Sequence, residues 1–408
     1  LVSAMLGKAL LSSISDVGMQ AITSNFNGIN ALKVWKRQAS LMNPANEADR
    51  IASVKIGLIA ETWAGRAHGA NRFADVMGTG LSTKISGTVM RASLLEPWTQ
   101  SGRKAFGMEF SSMLADNFSK TIDEVDPNTR KAFETYGIDA NDWDLFRKSK
   151  TLDFKGSKFA DMTQKGGIKF HQMVMSETDF AVPTPDARVR AITSGGLGRA
   201  SVEGQLWRAG MMFKSFPITM ITTHFYRAAN QATTGGKMGY FGALVATSSV
   251  MGAIALQAKD LAAGREPRPM DNSTFVMDAI LQGGGLALFG DVLLADHNKF
   301  GGGIFQQALG PKGQLAQDVA SLTIGNISQA IKGDETNVLG ETVRFANRYT
   351  PDIWQTQLIS NSIFDQMQML GDPKAEKNFN RLRKKRKSEF DQDYWWRRGE
   401  ALPEFLND

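Results

Sequence analysis

The sequence contains no cysteine and only four histidines among its 408 residues. Without cysteine there are no disulfide bonds, thiolate metal ligands or cysteine nucleophiles, so the protein does not depend on a particular redox compartment. His68, His171, His224 and His297 are too widely separated for a zinc-ligand motif. We therefore expect no histidine-rich metal site.

Motifs typical of enzymes are also missing. There is no Gly-x-Ser-x-Gly turn, HExxH helix or Walker loop. Residues 78–87 (GTGLSTKISG) are rich in glycine, but no strand precedes them and the spacing does not fit a phosphate loop. Several glutamates are isolated in sequence: Glu61, Glu96, Glu109, Glu134, Glu177 and Glu203. Within this segment we expect no enzyme activity and no catalytic, metal-binding or cofactor-binding residues. His171 and His224 are interpreted as core histidines.

Alternating strand patterns of useful length and internal repeats are both absent, whereas apolar residues recur at helical spacing along most of the chain. Asp126 before Pro127 is a typical helix cap, and Asp186 can cap a short helix. The sequence predicts an all-α fold, an extended multi-helix assembly with a central apolar helical hairpin.

Composition divides the chain into five regions. They are an N-terminal helical region (1–150), a Gly- and Pro-containing linker or hinge (151–205), the apolar helical hairpin (206–300), C-terminal helices (301–371) and a basic aromatic tail (372–408).

The organising stretch is residues 206–294, which hold three successive apolar segments. The middle segment, 240–256, carries no charge, but as a helix it would be roughly 25 Å long, short of a hydrocarbon core of about 30 Å. The third contains Asp278 and Asp291, which are costly in lipid. Two interpretations stay open: a buried hairpin of a soluble core, or a segment that is protected in one state and enters a membrane in another. The membrane-competent residues are Tyr240, Phe241, Leu244, Val245, Val250, Ile254 and Leu256.

The tail concentrates positive charge. Residues 374–398 hold ten Lys or Arg against four acids, an excess equal to the net charge of +6 of the whole chain. Such a run can contact phosphates or anionic lipid, and the neighbouring aromatic rings can stack or lie at a membrane interface. A solvated helix with its Trp pair packed on the body, and a subunit contact, are the alternatives. The candidate contact residues are Arg381, Arg383, Lys384, Lys385, Arg386, Lys387, Trp395, Trp396, Arg397 and Arg398.

Residues 349–400 have the layout YTPxIWxTxLxxxxxFDQMQMLxDPKAxKxFxRxRKKRKxxxxQxYWWxxGE. This region resembles the C-terminal end of large internal virion or DNA-ejection proteins of short-tailed phages and related polyvalent phage proteins. FAVPTPDARVRAITSGGLG (180–198), LWRAGMMFKSFPITMI (206–221) and, more weakly, LLSSISDVGMQ near the start are similar to the same family. Together these stretches cover about a quarter of the chain.

The resemblance implies that this chain is part of a much longer virion protein. A first residue that is Leu1 and not Met also favours this expectation. It implies a structural role in the virion interior near the portal and tail, followed by a role in the host envelope, where the protein helps form the conduit for genome ejection. The implied partners are other ejection proteins, portal or tail proteins, packaged DNA, the host membrane and further copies of the chain.

Two alternatives to that role stay open. One is the non-catalytic scaffold of a larger virion RNA polymerase or lytic transglycosylase, with its active site upstream. The other is a cellular membrane-associated protein unrelated to phage.

Overall fold

The computed structural model describes residues 9–43, 45–55, 88–154, 156–198, 201–211, 214–231, 233–283, 315, 317–325, 338–350, 353, 356–372 and 374–403. The fold of these residues is all-α, as the sequence predicts. The α-helices, in chain order, are α1 (Ala9–Ser13), α2 (Asp16–Phe26), α3 (Ala31–Met42), α4 (Glu47–Ser53), α5 (Leu95–Asp116), α6 (Pro127–Thr135), α7 (Ala140–Phe146), α8 (Gly167–Ala181), α9 (Ala187–Ser194), α10 (Val202–Gly210), α11 (Ser215–Met220), α12 (Tyr226–Ala229), α13 (Thr234–Ala262), α14 (Ser273–Gln282), α15 (Val338–Tyr349), α16 (Gln357–Gly371) and α17 (Ala375–Phe390).

Local chemistry sets several helix ends. The Asp126 carboxylate accepts hydrogen bonds from the backbone N–H groups of Asn128 and Thr129, and Pro127 occupies the first helical position of α6. Asp186 caps α9 in the same way, and Gly195 ends that helix with φ at +70°. Both caps confirm the sequence prediction.

An aromatic core holds the N-terminal part of the described chain together. The rings of Phe146 and Phe170 stack with centroids 4.2 Å apart, and Trp143 and Phe133 pack against Phe170 at 5.8 and 5.5 Å. Phe106, on α5, is fully buried in the same core. Both α3 and α8 pack on α5 and contribute buried apolar residues to this cluster.

A two-stranded hairpin that the sequence pattern did not predict lies in this core. Strands β1 (Thr151–Phe154) and β2 (Ser157–Ala160) pair antiparallel, and the Ser111 hydroxyl donates to the Ala160 carbonyl at 2.9 Å. The strands are too short for alternation to be evident in the sequence. Together with α8, they place residues 151–181 within the aromatic core, so the boundary predicted at residue 150 does not coincide with the edge of that core.

The predicted apolar hairpin is formed by α13 and α14. Gly252 on α13 lies directly against the backbone of Ala279 on α14, and Gly283, which follows α14, lies against Ser248. On another side α13 packs on α2, where a Cβ atom at Gly18 would lie 3.3 Å from the Thr247 carbonyl oxygen. The loop at 78–87, His68, His297, Asp291 and the part of the third apolar segment after Gly283 lie outside the described residues.

Candidate membrane-binding surface

The long helix α13 is the main feature of this surface. Thr233 caps it by accepting a hydrogen bond from the Gly236 N–H, so the Gly235–Gly236 pair forms its first turn and does not separate two segments. The helix has 29 residues and is therefore about 43 Å long. The length limit inferred from residues 240–256 alone was wrong, because the helix continues past both ends of that segment.

The central part of α13 carries no charge. The uncharged run covers residues 238–258, between Lys237 and Lys259, and as a helix it is about 32 Å long. That length matches a bilayer hydrocarbon core of about 30 Å. Of the described helices, α13 is the one that is long and apolar enough to cross a membrane.

One face of α13 packs on the protein and the other is open. Within its most apolar 18-residue window, 28% is buried. Of the seven predicted membrane residues, Leu244 and Leu256 are buried, Val250 and Ile254 are exposed by 57% and 47%, and Tyr240, Phe241 and Val245 are half-buried. The open face consists of small or apolar residues: Gly239, Gly242, Ala243, Ala246, Val250, Ile254 and Leu261. The structure therefore separates the predicted set into packing residues and exposed residues.

A buried polar cluster joins the N-terminal end of α13 to the aromatic core. The Arg227 guanidinium donates to both carboxylate oxygens of Glu177, at 2.9 and 2.6 Å, and lies over the rings of Phe26 and Phe180. The Glu177 carboxylate also accepts from the Tyr136 hydroxyl at 2.7 Å and the Asn27 amide at 2.7 Å. The isolation of Glu177 in sequence gave no sign of this pairing, because Arg227 lies 50 residues away.

His224 belongs to the same region. It lies in a single π turn, Ile221–Phe225, and is fully buried. A carbonyl oxygen can only accept, so Nε2–H donates to Phe180 and Nδ1 accepts from the Tyr240 hydroxyl, both at 2.9 Å. Burial, helped by the charge of Arg227, lowers the pKa of His224 to about 3. The prediction of a satisfied core histidine is confirmed.

The other end of α13 is fixed by ion pairs. Asp260, fully buried, accepts from the guanidinium groups of Arg265 and Arg268, and Arg268 also contacts Asp278 at 2.8 Å. Asp278, which counted against membrane entry of the third segment, is thus neutralised by Arg268 in this state.

The basic aromatic tail packs on this same end. Backbone hydrogen bonds run from Glu266 N–H to the Asp393 carbonyl at 3.0 Å and from Trp396 N–H to the Gly264 carbonyl at 3.1 Å. The Trp395 indole N–H donates to the Leu261 carbonyl at 3.3 Å. Both tryptophans are half-buried, and their ring centroids are 6.2 Å apart.

Most of the candidate cations in the tail form ion pairs or ring contacts within the chain, some of them at the surface. Arg398 forms a bidentate pair with buried Asp365, Arg383 pairs with Asp393 at 2.8 Å and Arg397 with Glu400 at 3.7 Å. Lys385 and Lys387 pair with Glu389 and Asp391, at 3.6 and 2.8 Å. Arg386 is half-buried over the Phe390 ring, and burial lowers its pKa. Two of the predicted contact residues, Arg381 and Lys384, are exposed and make no ion pair with the described residues.

Helix α16 has its polar side inward. Asp365 and Gln368 are buried, whereas Ile359, Ile363 and Leu370 are exposed by 57%, 54% and 87%. The reason lies in the tail, where Arg398 and the Gly399 N–H donate hydrogen bonds to the Asp365 carboxylate and the Gly399 carbonyl accepts one from the Gln366 amide. Buried backbone groups must be paired, and the apolar residues of α16 are displaced outward.

No protein-family model, no curated protein and no solved structure matches this chain. Among the described residues, no group of three or more His, Asp or Glu side chains is placed to hold a metal ion.

Proposed function

We propose that this chain is a non-catalytic structural module that inserts α13 into a lipid bilayer. The observation that carries the proposal is the uncharged run 238–258, with its open apolar face. Its length suits the hydrocarbon core, and Lys237 and Lys259 flank it, where long cationic side chains can reach the headgroup region.

The proposed role agrees with the family resemblance. In that setting the chain is part of an internal virion protein of a short-tailed phage, placed near the portal and tail beside packaged DNA. After ejection it lies in the host envelope with other ejection proteins and copies of itself, and helps form the conduit for the genome. Insertion of α13 is the step of this role that the residues themselves support.

The folded state and the inserted state differ in what covers α13. In the folded state Leu244, Ser248 and Gly252 pack on the protein, whereas Val250 and Ile254 face outward. For insertion, α13 must leave α2 and the aromatic side chains around Tyr240. The small buried fraction of this helix keeps the apolar surface lost in that step modest.

Flotation of the purified chain with phosphatidylcholine vesicles at about 1 M salt tests insertion, since surface charge interactions are then screened beyond about 3 Å. The Val250→Glu substitution places a charge on the open face near the middle of the uncharged run. The charge costs about 3 kcal/mol in the bilayer, so we expect the vesicle partition coefficient measured by flotation to fall by about two orders of magnitude. Equal flotation of Val250→Glu and the wild type would contradict the proposal.

The matched control is Ile168→Glu on α8. Ile168 is 71% exposed, so the change adds the same charge to an exposed apolar residue of a different helix. We expect this variant to float like the wild type. If both variants lose flotation equally, added charge in itself is responsible, and α13 is not the inserted element.

A further inference from the structure

The last described helix, α17, separates its basic residues by face. On α17 the inward side carries Phe379, Arg383 and Arg386, of which the arginines are used within the protein. The opposite side carries Lys374, Lys377, Arg381 and Lys384, at spacings of three, four and three residues. All four are exposed, and none of their side chains makes an ion pair or hydrogen bond with the described residues.

This cationic stripe is about 15 Å long. Its first member, Lys374, lies at the N-terminal end of α17, where a positive charge opposes the helix dipole and so costs stability. The internal packing of the tail does not require these side chains. Their common face, and the absence of ion pairs between them and the described residues, fit an anionic surface outside the protein.

The preceding helix contributes an apolar stripe. Ile359, Ile363, Met367 and Leu370 are exposed by 57%, 54%, 47% and 87%, and they recur at spacings of four, four and three residues. Exposed apolar residues followed closely by Lys and Arg are the composition of helices that lie in the plane of a membrane interface.

The position of α16 and α17 beside the end of α13 indicates what binds to their exposed stripes. Residues 392–396 hold α17 against the loop that follows α13, through Gln392 to the Glu266 carbonyl at 2.6 Å and Trp395 to the Leu261 carbonyl. Both helices therefore lie at the Lys259 end of the uncharged run. Half-buried Trp395 and Trp396 lie at the same end, and tryptophan is enriched at membrane interfaces.

We propose that α16 and α17 form an interfacial anchor that binds the anionic headgroups of a bilayer at the Lys259 end of α13. The anchor rests on the proposed function, because insertion of α13 places the helix pair at the bilayer surface. It also gives the insertion a direction, with the Lys259 end at the leaflet richer in anionic lipid.

The test compares flotation with phosphatidylcholine vesicles and with vesicles that also contain phosphatidylglycerol, at about 0.1 M salt, where the Debye length is about 10 Å. The variant changes Lys374, Lys377, Arg381 and Lys384 to Gln. Each cation near an anionic surface contributes roughly fivefold to binding, so with four cations removed we expect the gain from phosphatidylglycerol to fall by nearly three orders of magnitude, about 600-fold. The charge-matched control changes Lys33, Lys36, Lys148 and Lys150 to Gln, four exposed lysines of the N-terminal part, and should keep the full gain.

The salt condition separates this proposal from the insertion of α13. Flotation with phosphatidylcholine at high salt should be the same for the stripe variant and the wild type, since it depends on α13 alone. If the stripe variant keeps the full gain from phosphatidylglycerol, the anchor is wrong even when α13 inserts. If it loses binding to duplex DNA while keeping the lipid gain, the stripe is a nucleic-acid surface and the anchor is again overturned.

A separate substitution tests the apolar stripe of α16. Leu370→Gln should reduce binding to the anionic vesicles several-fold, whereas Ile168→Gln, at a similarly exposed site, should not. If Leu370→Gln instead dissociates an oligomer and leaves lipid binding unchanged, the face is a contact between copies of the chain, and its assignment to lipid is overturned.

A contact measurement completes the test, and the cysteine-free chain makes it straightforward. An environment-sensitive fluorophore on Ser388→Cys, next to the cationic stripe, should shift to a less polar emission when anionic vesicles are added. The same label on Thr135→Cys, exposed on α6, should not respond. Equal responses at the two sites would overturn the anchor.

Discussion

Single side chains decide how α13 is held. Arg227, nine-tenths buried, has its charge balanced by Glu177 and covered by two aromatic rings, because an unpaired charge at that depth would cost several kcal/mol. His224 meets both hydrogen-bonding requirements of its neutral ring in the same region. Desolvated groups of this kind make the contact between the aromatic core and α13 specific, and they also make it sensitive to protonation.

The pH dependence of stability follows from His224. Its pKa is about 3 in the folded protein and near 6.5 when unfolded, so below pH 6.5 the unfolded chain binds a proton that the folded chain does not. Stability is therefore complete above pH 6.5 and falls as the pH is lowered, by about 2 kcal/mol between pH 7 and pH 5. Urea denaturation at several pH values measures this fall.

The comparison variant is His224→Gln, whose amide can donate to Phe180 and accept from Tyr240 but does not titrate. The free energy of unfolding of this variant should change less with pH than that of the wild type over the same range. Paired carboxylates such as Asp393, whose pKa the hydrogen bond from Arg383 lowers, lose their contribution only at more acidic pH. Identical slopes for the two proteins would show that His224 is not the titrating group.

At the scale of the element, α13 combines two kinds of glycine. Gly252 allows close approach of α14, as Gly18 of α2 does where α2 packs on α13, whereas Gly239 and Gly242 lie on the open face, where a Cβ atom would meet nothing within 4 Å. In water the open-face glycines cost helix stability without a packing benefit. In a bilayer small residues on such a face allow another helix to pack closely.

Substitution of these glycines by alanine should have opposite effects. Gly252→Ala pushes a methyl group against the Ala279 carbonyl oxygen, which cannot move cheaply, and should destabilise the protein by about 1–3 kcal/mol. Gly242→Ala should stabilise it by about 0.5–1 kcal/mol, since the site is open and helical. Urea denaturation midpoints distinguish the two, and a neutral Gly252→Ala would mean that α14 does not pack on α13 in solution.

At the scale of the whole molecule, apolar burial is unevenly distributed. Among the described residues, the core around α5 and α8 contains 22 buried apolar residues, whereas two clusters that include α13 residues contain four and three. Apolar burial is the dominant favourable term in folding. In the described part of the chain, the aromatic core thus buries more apolar residues than the contacts of α13 do, a distribution that suits the proposed exposure of this helix in a second state.

Hydrogen exchange should show this difference directly. Amides of α5 and α8 should be the most protected, exchanging only by global unfolding, whereas amides in residues 238–250 of α13 should open at a lower free energy. Mass spectrometry of exchanged peptides measures both sets in one experiment. Equal protection of α13 and α5 would mean that the helix does not separate from the core without global unfolding.

The sequence by itself determined the helical class, the caps at Asp126 and Asp186, the apolar run of α13 and the positive charge of the tail, because these depend on neighbouring residues. It did not predict β1 and β2, whose four-residue strands leave no usable periodicity. Family membership and the phage role stay predictions.

Only the tertiary structure decided which charged and apolar side chains are paired within the chain and which are exposed for contact with a partner. Glu177 and Arg227 are 50 residues apart, and Asp365 and Arg398 are 33 apart, so their pairing leaves no local pattern. The Asp365–Arg398 pair holds the polar side of α16 inward, so its apolar side faces outward. The physical reason is that buried charges and backbone groups must find partners wherever the fold supplies them, and their demand outweighs the burial of a few exposed apolar residues.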